Sequence, residues 1–178
     1  GVYGYFGNMK EQQSPDCSCY VKNGPFIGTS KNVDFIRYSD VLLFKAEALI
    51  QLNRYAEALP LINQIRARAA ASTAMTLAAG ASNVYKVQPY VAFPSKDYAM
   101  KALMFERRLE FGMEGPRFFD LVRWGIAEPV LNAYLNVEKT KRDFLSNAKF
   151  TAGRDEYYPI PQREIDCTGG LYKENPGY

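Results

Sequence analysis

A charged segment in the second half of this chain constrains its fold more than any other feature. Residues 106–125 read ERRLEFGMEGPRFFDLVRWG, with glutamates at 106, 110 and 114. On one helix, side chains four residues apart lie on the same face, so these three carboxylates would repel one another. Gly115 can end the first helix in a left-handed conformation, and Pro116 can begin the next. The segment therefore predicts two helices with a sharp break between them.

Arginines in the same segment are the predicted partners of these carboxylates. Arg107 lies three residues before Glu110, and Arg117 and Arg123 follow the break, so two helices folded back on each other would interleave opposite charges. The segment contains four arginines and no lysine, and the planar guanidinium group suits paired hydrogen bonds to a carboxylate. Apolar residues threaded among the charges favour a partly buried structural network over a solvated face. The predicted network comprises Glu106, Arg107, Glu110, Glu114, Arg117, Asp120 and Arg123.

Helical periodicity predicts a mainly α fold with tetratricopeptide-like helical hairpins, long loops and an extended C-terminal tail. Apolar residues recur at helical spacing from Tyr38, and small alanines would let this helix approach a second one that runs from Tyr55 to Ala71. Pro60 should kink or delay the second helix unless it lies in about the first turn, because it lacks a backbone donor. The other predicted helices are 95–113, with Tyr98, Ala102, Phe105 and Leu109 toward the core, 116–124 and 129–135.

The remaining segments are predicted to be irregular. Residues 1–34 are rich in glycine and aromatic residues and have no helical period, and residues 72–94 favour a loop. Pro159 and Pro161 exclude regular helix from residue 154 onward. We expect one domain overall, in which residues 35–178 form the helical region. The side chains expected to fasten the tail by packing are Tyr157, Tyr158, Ile160 and Tyr178.

Three segments of the chain resemble, in the same order, the signatures of one known family. They are residues 106–125, the segment RYSDVLLFKAEA at 37–48, and the closing segments YYPIPQREID and LYKENPGY. Together they resemble the SusD/RagB family, the surface nutrient-binding lipoproteins of Gram-negative bacteria. Asp40 stands where the family usually has glutamate, and Glu174 stands where it usually has glutamine.

The resemblance implies a function at the surface of the outer membrane. It implies that the chain is the C-terminal portion of a longer SusD-like protein, held to the membrane only through a lipid on an N-terminal segment outside this sequence. Such a protein binds a glycan or related nutrient and delivers it to a TonB-dependent, SusC-like transporter. The signature residues around Glu106 are then expected to be architectural, because the ligand site varies between members of the family.

Loop aromatic residues are the candidates for sugar contact. A sugar ring presents a C–H face that stacks on a flat apolar side chain, while its hydroxyls need polar groups or water alongside. The alternatives are that these residues pack on the helices, or that the ligand site lies in the preceding part of the longer protein. The candidates are Tyr3, Tyr5, Tyr20, Tyr85, Tyr90 and Phe93.

Composition argues against several other functions. The chain has no histidine, so it lacks the commonest general base and any Ser–His or Cys–His pair. With no histidine and three cysteines, it supplies no complete structural zinc set. A net charge of +3 is small for a nucleic-acid-binding surface. We expect no cofactor, no metal and no enzymatic activity. For the cysteines, either free thiols or a bridge from Cys17 or Cys19 to Cys167 is open.

Two other function classes remain as alternatives. One is a helical-repeat scaffold that binds a protein partner without a small ligand. The other is a glycoside hydrolase, which would need a pair of carboxyl groups with one raised pKa. The glutamates of the charged segment suit that role poorly, because neighbouring arginines lower the pKa of a carboxyl group.

Overall fold

A computed structural model describes residues 16–32, 34–71 and 86–178 of the chain. These residues are mainly helical, which confirms the predicted fold class. The chain forms two compact units, unit 1 up to Met113 and unit 2 from Glu114. The sequence predicts a division after residue 34 instead, and the assignment of one domain overall stays a prediction. No helix in the described ranges is long and apolar enough to cross a lipid bilayer.

Unit 1 contains a β-hairpin followed by helices that share one core. Its described elements are β1 (Tyr20–Asn23), β2 (Phe26–Thr29), α1 (Tyr38–Gln51), α2 (Tyr55–Ala70) and α3 (Lys96–Glu110). The three helices pack against one another, and α1 and α2 form the predicted helical hairpin. The core of this unit includes the fully buried side chains Leu43, Ala46, Ile50, Ala58, Ile62 and Leu103.

The turn between α1 and α2 lies at the predicted residues, Asn53 and Arg54. Asn53 has a positive φ of 59°, which asparagine tolerates better than most residues. Its N–H donates to the Ile50 carbonyl at 3.0 Å, and the Arg54 N–H donates to the Leu49 carbonyl at 2.8 Å. These two bonds satisfy carbonyls at the end of α1 and reverse the chain within three residues.

Pro60 does not delay the start of the second helix, although the sequence predicted that it could. It lies inside α2, which already begins at Tyr55. The carbonyl that would have accepted the missing N–H belongs to Ala56, and both residues are exposed. Water can therefore bond that carbonyl, so the helix loses one internal hydrogen bond without burying an unpaired group.

The core face of α3 differs from the predicted one. Ser95 caps the helix as expected, because its Oγ accepts the Tyr98 N–H at 3.2 Å. Of the four side chains predicted to face the core, only Ala102 is buried, whereas Tyr98, Phe105 and Leu109 are 44–55% exposed. The other buried side chains of the helix are Ala99, Leu103, Glu106, Arg107 and Glu110. The helix thus turns its charges inward and its large apolar residues outward.

The hairpin and the cysteine pairing were not foreseen from the sequence. β1 and β2 pair antiparallel across the two-residue turn Gly24-Pro25. Gly24 has a φ of +60°, which glycine accommodates at the first position of such a turn. Cys17 and Cys19 form a disulfide with each other, and Cys167 is exposed and outside any disulfide. Both alternatives for the cysteines, a bridge to Cys167 and three free thiols, are therefore wrong.

Unit 2 is built on a second, shorter helical hairpin. Its helices are α4 (Arg117–Arg123), α5 (Ala127–Glu138) and α6 (Gln162–Cys167), with a 3-10 turn at Asp143–Leu145. Gly125 ends α4 with a φ of +68°, and its N–H donates to the Val122 carbonyl at 2.9 Å. Leu121, Ala127 and Phe150 form a small core. Both α4 and α5 were predicted, although α5 begins earlier and ends later than expected. The hairpin predicted within residues 106–125 stays a prediction.

The C-terminal tail differs from the prediction in two ways. α6 interrupts the expected extended chain, because Pro161 lies at its N-cap, where proline costs no hydrogen bond. The tyrosines at 157, 158 and 178 are 49–86% exposed, so they are not packing anchors. Polar contacts hold the tail instead. The Glu174 carboxylate accepts the Ile160 and Asn175 N–H groups, each at 2.8 Å, and the Tyr178 hydroxyl donates to the Tyr157 carbonyl at 2.9 Å.

Candidate functional site

Burial of charge on α3 is the first unusual feature of unit 1. Glu106, Arg107 and Glu110 are each less than 10% exposed. They occupy the inner face of the helix at spacings of one, three and four residues, among the alanines and leucine of the core. A buried charge is costly unless it is paired, so the partners of these three residues determine whether the helix can pack.

Glu106 is paired from α2. Its Oε2 lies 2.8 Å from a terminal nitrogen of Arg66, one of the less exposed arginines of the unit. Burial raises the pKa of the Glu106 carboxyl, and the hydrogen bond from Arg66 opposes part of that rise. At Glu106, burial therefore has a larger effect on the pKa than the neighbouring arginines have. A single partner does not fully replace the lost hydration.

Glu110 forms ion pairs with arginines at both ends of the α1–α2 hairpin. Arg37, just before α1, donates to one carboxylate oxygen at 2.8 Å and to the Glu110 carbonyl at 3.1 Å. Arg68, near the end of α2, pairs with the other oxygen. The Arg37 guanidinium also lies 5.0 Å from the centre of the Phe111 ring. This carboxylate therefore joins the first residue before α1 to the last turn of α2.

Arg107 points toward α1 and is the most buried charged residue among the described residues of the unit. It lies 2.9 Å from an oxygen of Asp40, and its side chain is 2% exposed. The Phe44 and Phe111 rings lie 4.5 and 5.1 Å from its guanidinium carbon. Such cation–π contacts offset part of the desolvation of the guanidinium group. The side chain of Asp40, which stands where the resembled family usually has glutamate, is thus long enough to reach this arginine.

Members of the predicted network lie on α3 in unit 1 and on α4 in unit 2. The partners described above for Glu106, Arg107 and Glu110 lie on α1, on α2 and at the residue before α1. Sequence reasoning missed these partners. Glu114 lies beyond the end of α3, so the three glutamates do not share one helix. In unit 2, Arg117 begins α4, and buried Asp120 pairs with Arg123 at 2.9 Å. That the network is structural stays a prediction.

An aromatic cluster beside α2 contains two of the ligand candidates. Tyr90 is half-buried, and its ring centre lies 5.5 Å from that of Phe93 and 6.4 Å from that of Tyr98. Phe93 is 7% exposed and belongs to the core, whereas Tyr98 is 44% exposed. Arg66 places its guanidinium 4.6 Å from the centre of the Tyr90 ring. Burial raises the pKa of the Tyr90 hydroxyl. Tyr90 and Tyr98 therefore carry the accessible ring surface of this cluster.

The other ligand candidates are not brought into this cluster. Tyr20 lies half-buried on β1, and Tyr3, Tyr5 and Tyr85 lie outside the described residues. Sequence reasoning assigned Tyr98 to the core and so missed it as an accessible ring. Its position in the first turn of α3, beside a loop, is the signal that could have found it. No group of potential metal ligands comes together within residues 16–32, 34–71 and 86–178.

Known proteins resemble this chain in sequence and in fold. Residues 19–178 match the model of the SusD family. A SusD-like protein of Formosa agariphila, P38, is 39% identical over 100 residues, which are 56% of this chain and 18% of that protein. The crystal structure of a SusD homolog from Bacteroides thetaiotaomicron superposes with a TM-score of 0.67 at 28% identity, over 89% of this chain and 30% of that one.

A further solved structure carries a functional description in its name. It is surface glycan-binding protein A from Bacteroides thetaiotaomicron, with a TM-score of 0.57 and 26% identity over 84% of this chain and 26% of that protein. The chain therefore spans between 18% and 30% of the length of these three proteins.

Proposed function

This chain belongs to the SusD family, and from that premise we propose that the whole protein binds a glycan or related nutrient at the cell surface. In this proposal a lipid anchors it in the outer membrane, where it delivers its ligand to a TonB-dependent, SusC-like transporter. The observation that carries the proposal is the fold it shares with surface glycan-binding protein A.

Within this chain, we assign sugar contact to the aromatic cluster of Tyr90, Phe93 and Tyr98. Phe93 forms its buried base, and the exposed part of Tyr98 beside half-buried Tyr90 offers ring surface to the C–H face of a sugar. Tyrosine suits this role because its ring is apolar and its hydroxyl can bond a sugar hydroxyl or water. Tyr20, Tyr3, Tyr5 and Tyr85 remain proposed contacts on the strength of the sequence alone.

The charged residues of α3 are proposed to support this site and to take no part in catalysis. The raised pKa of Glu106 is a property that a general acid needs. A general acid must also reach the bond that it protonates, and Glu106 is 4% exposed and engaged by Arg66. Binding without hydrolysis is therefore the favoured activity.

A protein-binding scaffold is the second candidate function, and one observation favours it. Large apolar side chains lie on the outward faces of α1 and α3: Val41, Phe44, Phe105 and Leu109 are each about half exposed, at 48–55%. Apolar surface of this kind is typical of an interface. The alternative would make this part of the chain a contact for other protein surfaces, with the glycan site elsewhere.

Affinity electrophoresis of the full-length protein separates the three functions. Native gels that contain soluble starch, pullulan, laminarin, xylan or alginate should retard a glycan binder in at least one case. A scaffold would migrate unchanged in every gel and still co-purify with the transporter. A hydrolase would release reducing sugar from the retained polysaccharide. No retardation in any of these gels would contradict the proposed function.

A further inference from the structure

Asn63 of α2 holds the backbone of Tyr90 with both atoms of its amide. Its Nδ2 donates to the Tyr90 carbonyl at 2.8 Å, and its Oδ1 accepts the Tyr90 N–H at 2.8 Å. The side chain thus satisfies the donor and the acceptor of one residue in a segment without regular structure. Because both bonds are made to the backbone, they fix where the Tyr90 ring leaves the chain without covering the ring.

A second side chain of α2 also bonds to the backbone of this segment. Arg66, three residues after Asn63 and so on the same helix face, donates through Nε to the Gln88 carbonyl at 2.6 Å. Its guanidinium also lies over the Tyr90 ring, as described above, and pairs with Glu106. The segment before α3 is therefore fastened to α2 at residues 88 and 90, through an arginine that the buried glutamate holds in place.

Unit 2 contains the same pair of asparagine-to-backbone hydrogen bonds, but at a residue whose ring is buried. Asn132 of α5 donates to the Phe150 carbonyl and accepts the Phe150 N–H, both at 2.9 Å. Asn132 follows Pro129 by three residues, as Asn63 follows Pro60. Phe150 is 7% exposed and lies in the core of unit 2. The same pair of bonds thus buries one aromatic ring and leaves the other, Tyr90, at the surface.

We infer that Asn63 is a positioning residue for glycan binding, which sets the Tyr90 ring beside Tyr98 so that a sugar ring meets both. This inference rests on the proposed function. A ring on a backbone that is already fixed loses little conformational freedom when a ligand stacks on it, so binding is tighter than to a mobile loop. Asn132, which holds a buried ring, has no such role.

The test compares Asn63→Ala with Asn132→Ala in the full-length protein. Both variants lose the same two hydrogen bonds, so both should lower the thermal unfolding temperature to a similar extent. Affinity is then measured by electrophoresis in whichever of the five polysaccharides retards the wild type most. Asn63→Ala should weaken retention about three- to tenfold, the range expected when one stacked ring is misplaced, and Asn132→Ala should leave it within about twofold.

Combining Asn63→Ala with Tyr90→Ala distinguishes positioning from an independent effect. If Asn63 acts through the ring, the double variant should bind as weakly as Tyr90→Ala alone. Asn63→Asp is the second variant if Asn63→Ala fails to fold. It keeps an acceptor for the Tyr90 N–H and loses the donor to the carbonyl, and it should weaken retention in the same direction.

The outcomes separate this inference from the proposed function. Equal retention of the Asn63 and Asn132 variants by a polysaccharide that retards the wild type would overturn the positioning role alone. Additive losses in the double variant would overturn it as well. A wild type that none of the five polysaccharides retards would contradict the proposed function, and the inference would be rejected with it.

Discussion

The two units neutralise their acidic side chains in different ways. In unit 1, Glu106 pairs with Arg66, and Arg107 pairs with Asp40, across sequence separations of 40 and 67 residues. In unit 2, Asp120 pairs with an arginine three residues along the same helix. The buried charges of α3 therefore pair with residues of other helices, whereas Asp120 pairs within one turn of its own helix.

Burial explains why this difference should have energetic consequences. The Arg107 and Glu106 side chains are 2% and 5% exposed, while Lys141, which pairs with Glu138 in unit 2, is 59% exposed. Loss of one partner from a buried pair leaves an uncompensated charge, at a cost of roughly 3–5 kcal/mol. An exposed pair contributes about 0–1 kcal/mol. The comparison thus predicts a graded series of effects on stability.

Arg107→Ala should have the largest effect. It removes the partner of Asp40 and leaves a cavity between two phenylalanine rings, so the free energy of unfolding should fall by about 3–5 kcal/mol. Urea denaturation of the full-length protein measures this loss. Arg108→Ala is the matched control, because Arg108 is the exposed neighbour on the same helix, and it should change stability by less than about 0.5 kcal/mol. Similar losses for both variants would remove the distinction between inner and outer charges.

Glu106→Gln should cost less, about 1–2 kcal/mol at neutral pH, because the amide keeps an oxygen that Arg66 can donate to. Its effect should also depend on pH. Burial raises the folded-state pKa of Glu106, so the folded protein holds this proton more tightly than the unfolded chain. The wild type should therefore gain stability relative to the variant as the pH falls through the folded pKa toward the unfolded one. Unfolding temperatures of both proteins across this range measure the difference.

An opposite slope would contradict that account. If the advantage of the wild type grew as the pH rose, the ion pair with Arg66 would outweigh the burial of Glu106. Other carboxyl groups titrate in the same range, but they do so in both proteins and cancel in the comparison.

Asp120→Asn tests the buried carboxylate of unit 2. Its partner Arg123 has a side chain that is 35% exposed and can turn toward water when the charge is lost. The expected loss is about 1 kcal/mol, smaller than for the cross-helix pairs of unit 1. Thermal unfolding of the full-length protein gives the comparison. A loss as large as that of Arg107→Ala would show that local pairs and cross-helix pairs contribute equally.

Lys141→Ala should have the smallest effect. Lys141 lies three residues after Glu138, the last residue of α5, and its side chain is 59% exposed. Pairs with one such exposed partner contribute about 0.3–0.5 kcal/mol. Glu138 also keeps Arg142 as a partner at 3.2 Å. Addition of 1 M salt should therefore remove most of the difference between the variant and the wild type. A loss above about 1 kcal/mol would contradict the contrast between the units.

Much of the fold could be predicted from local sequence signals. The hairpin of α1 and α2 follows from helical periodicity, and the turn at Asn53 and the cap at Ser95 follow from residue types that favour those positions. The family resemblance was confirmed, because its motifs are ordered and span most of the chain. The residues of the β-hairpin turn, Gly24 and Pro25, indicated a turn but not the strands on either side of it.

The inner face of α3 could not be predicted in the same way. Hydrophobicity places Tyr98, Phe105 and Leu109 in the core, yet the structure buries the charged face, because arginines from distant residues neutralise it. Partners 22 or more residues away leave no periodic signal in one sequence. For the same reason, Asn63 and Arg66 gave no local sign that they hold the segment around Tyr90.

Double-mutant cycles on two ion pairs test the central claim most directly, because they cancel the other contacts of each side chain. The cycle of Arg66→Met with Glu106→Gln should give a coupling energy of about 2 kcal/mol, as expected for a desolvated pair that joins α2 to α3. The cycle of Lys141→Ala with Glu138→Gln should give less than about 0.5 kcal/mol. Equal coupling energies for the two pairs would contradict the account that buried charges hold the helices of unit 1 together.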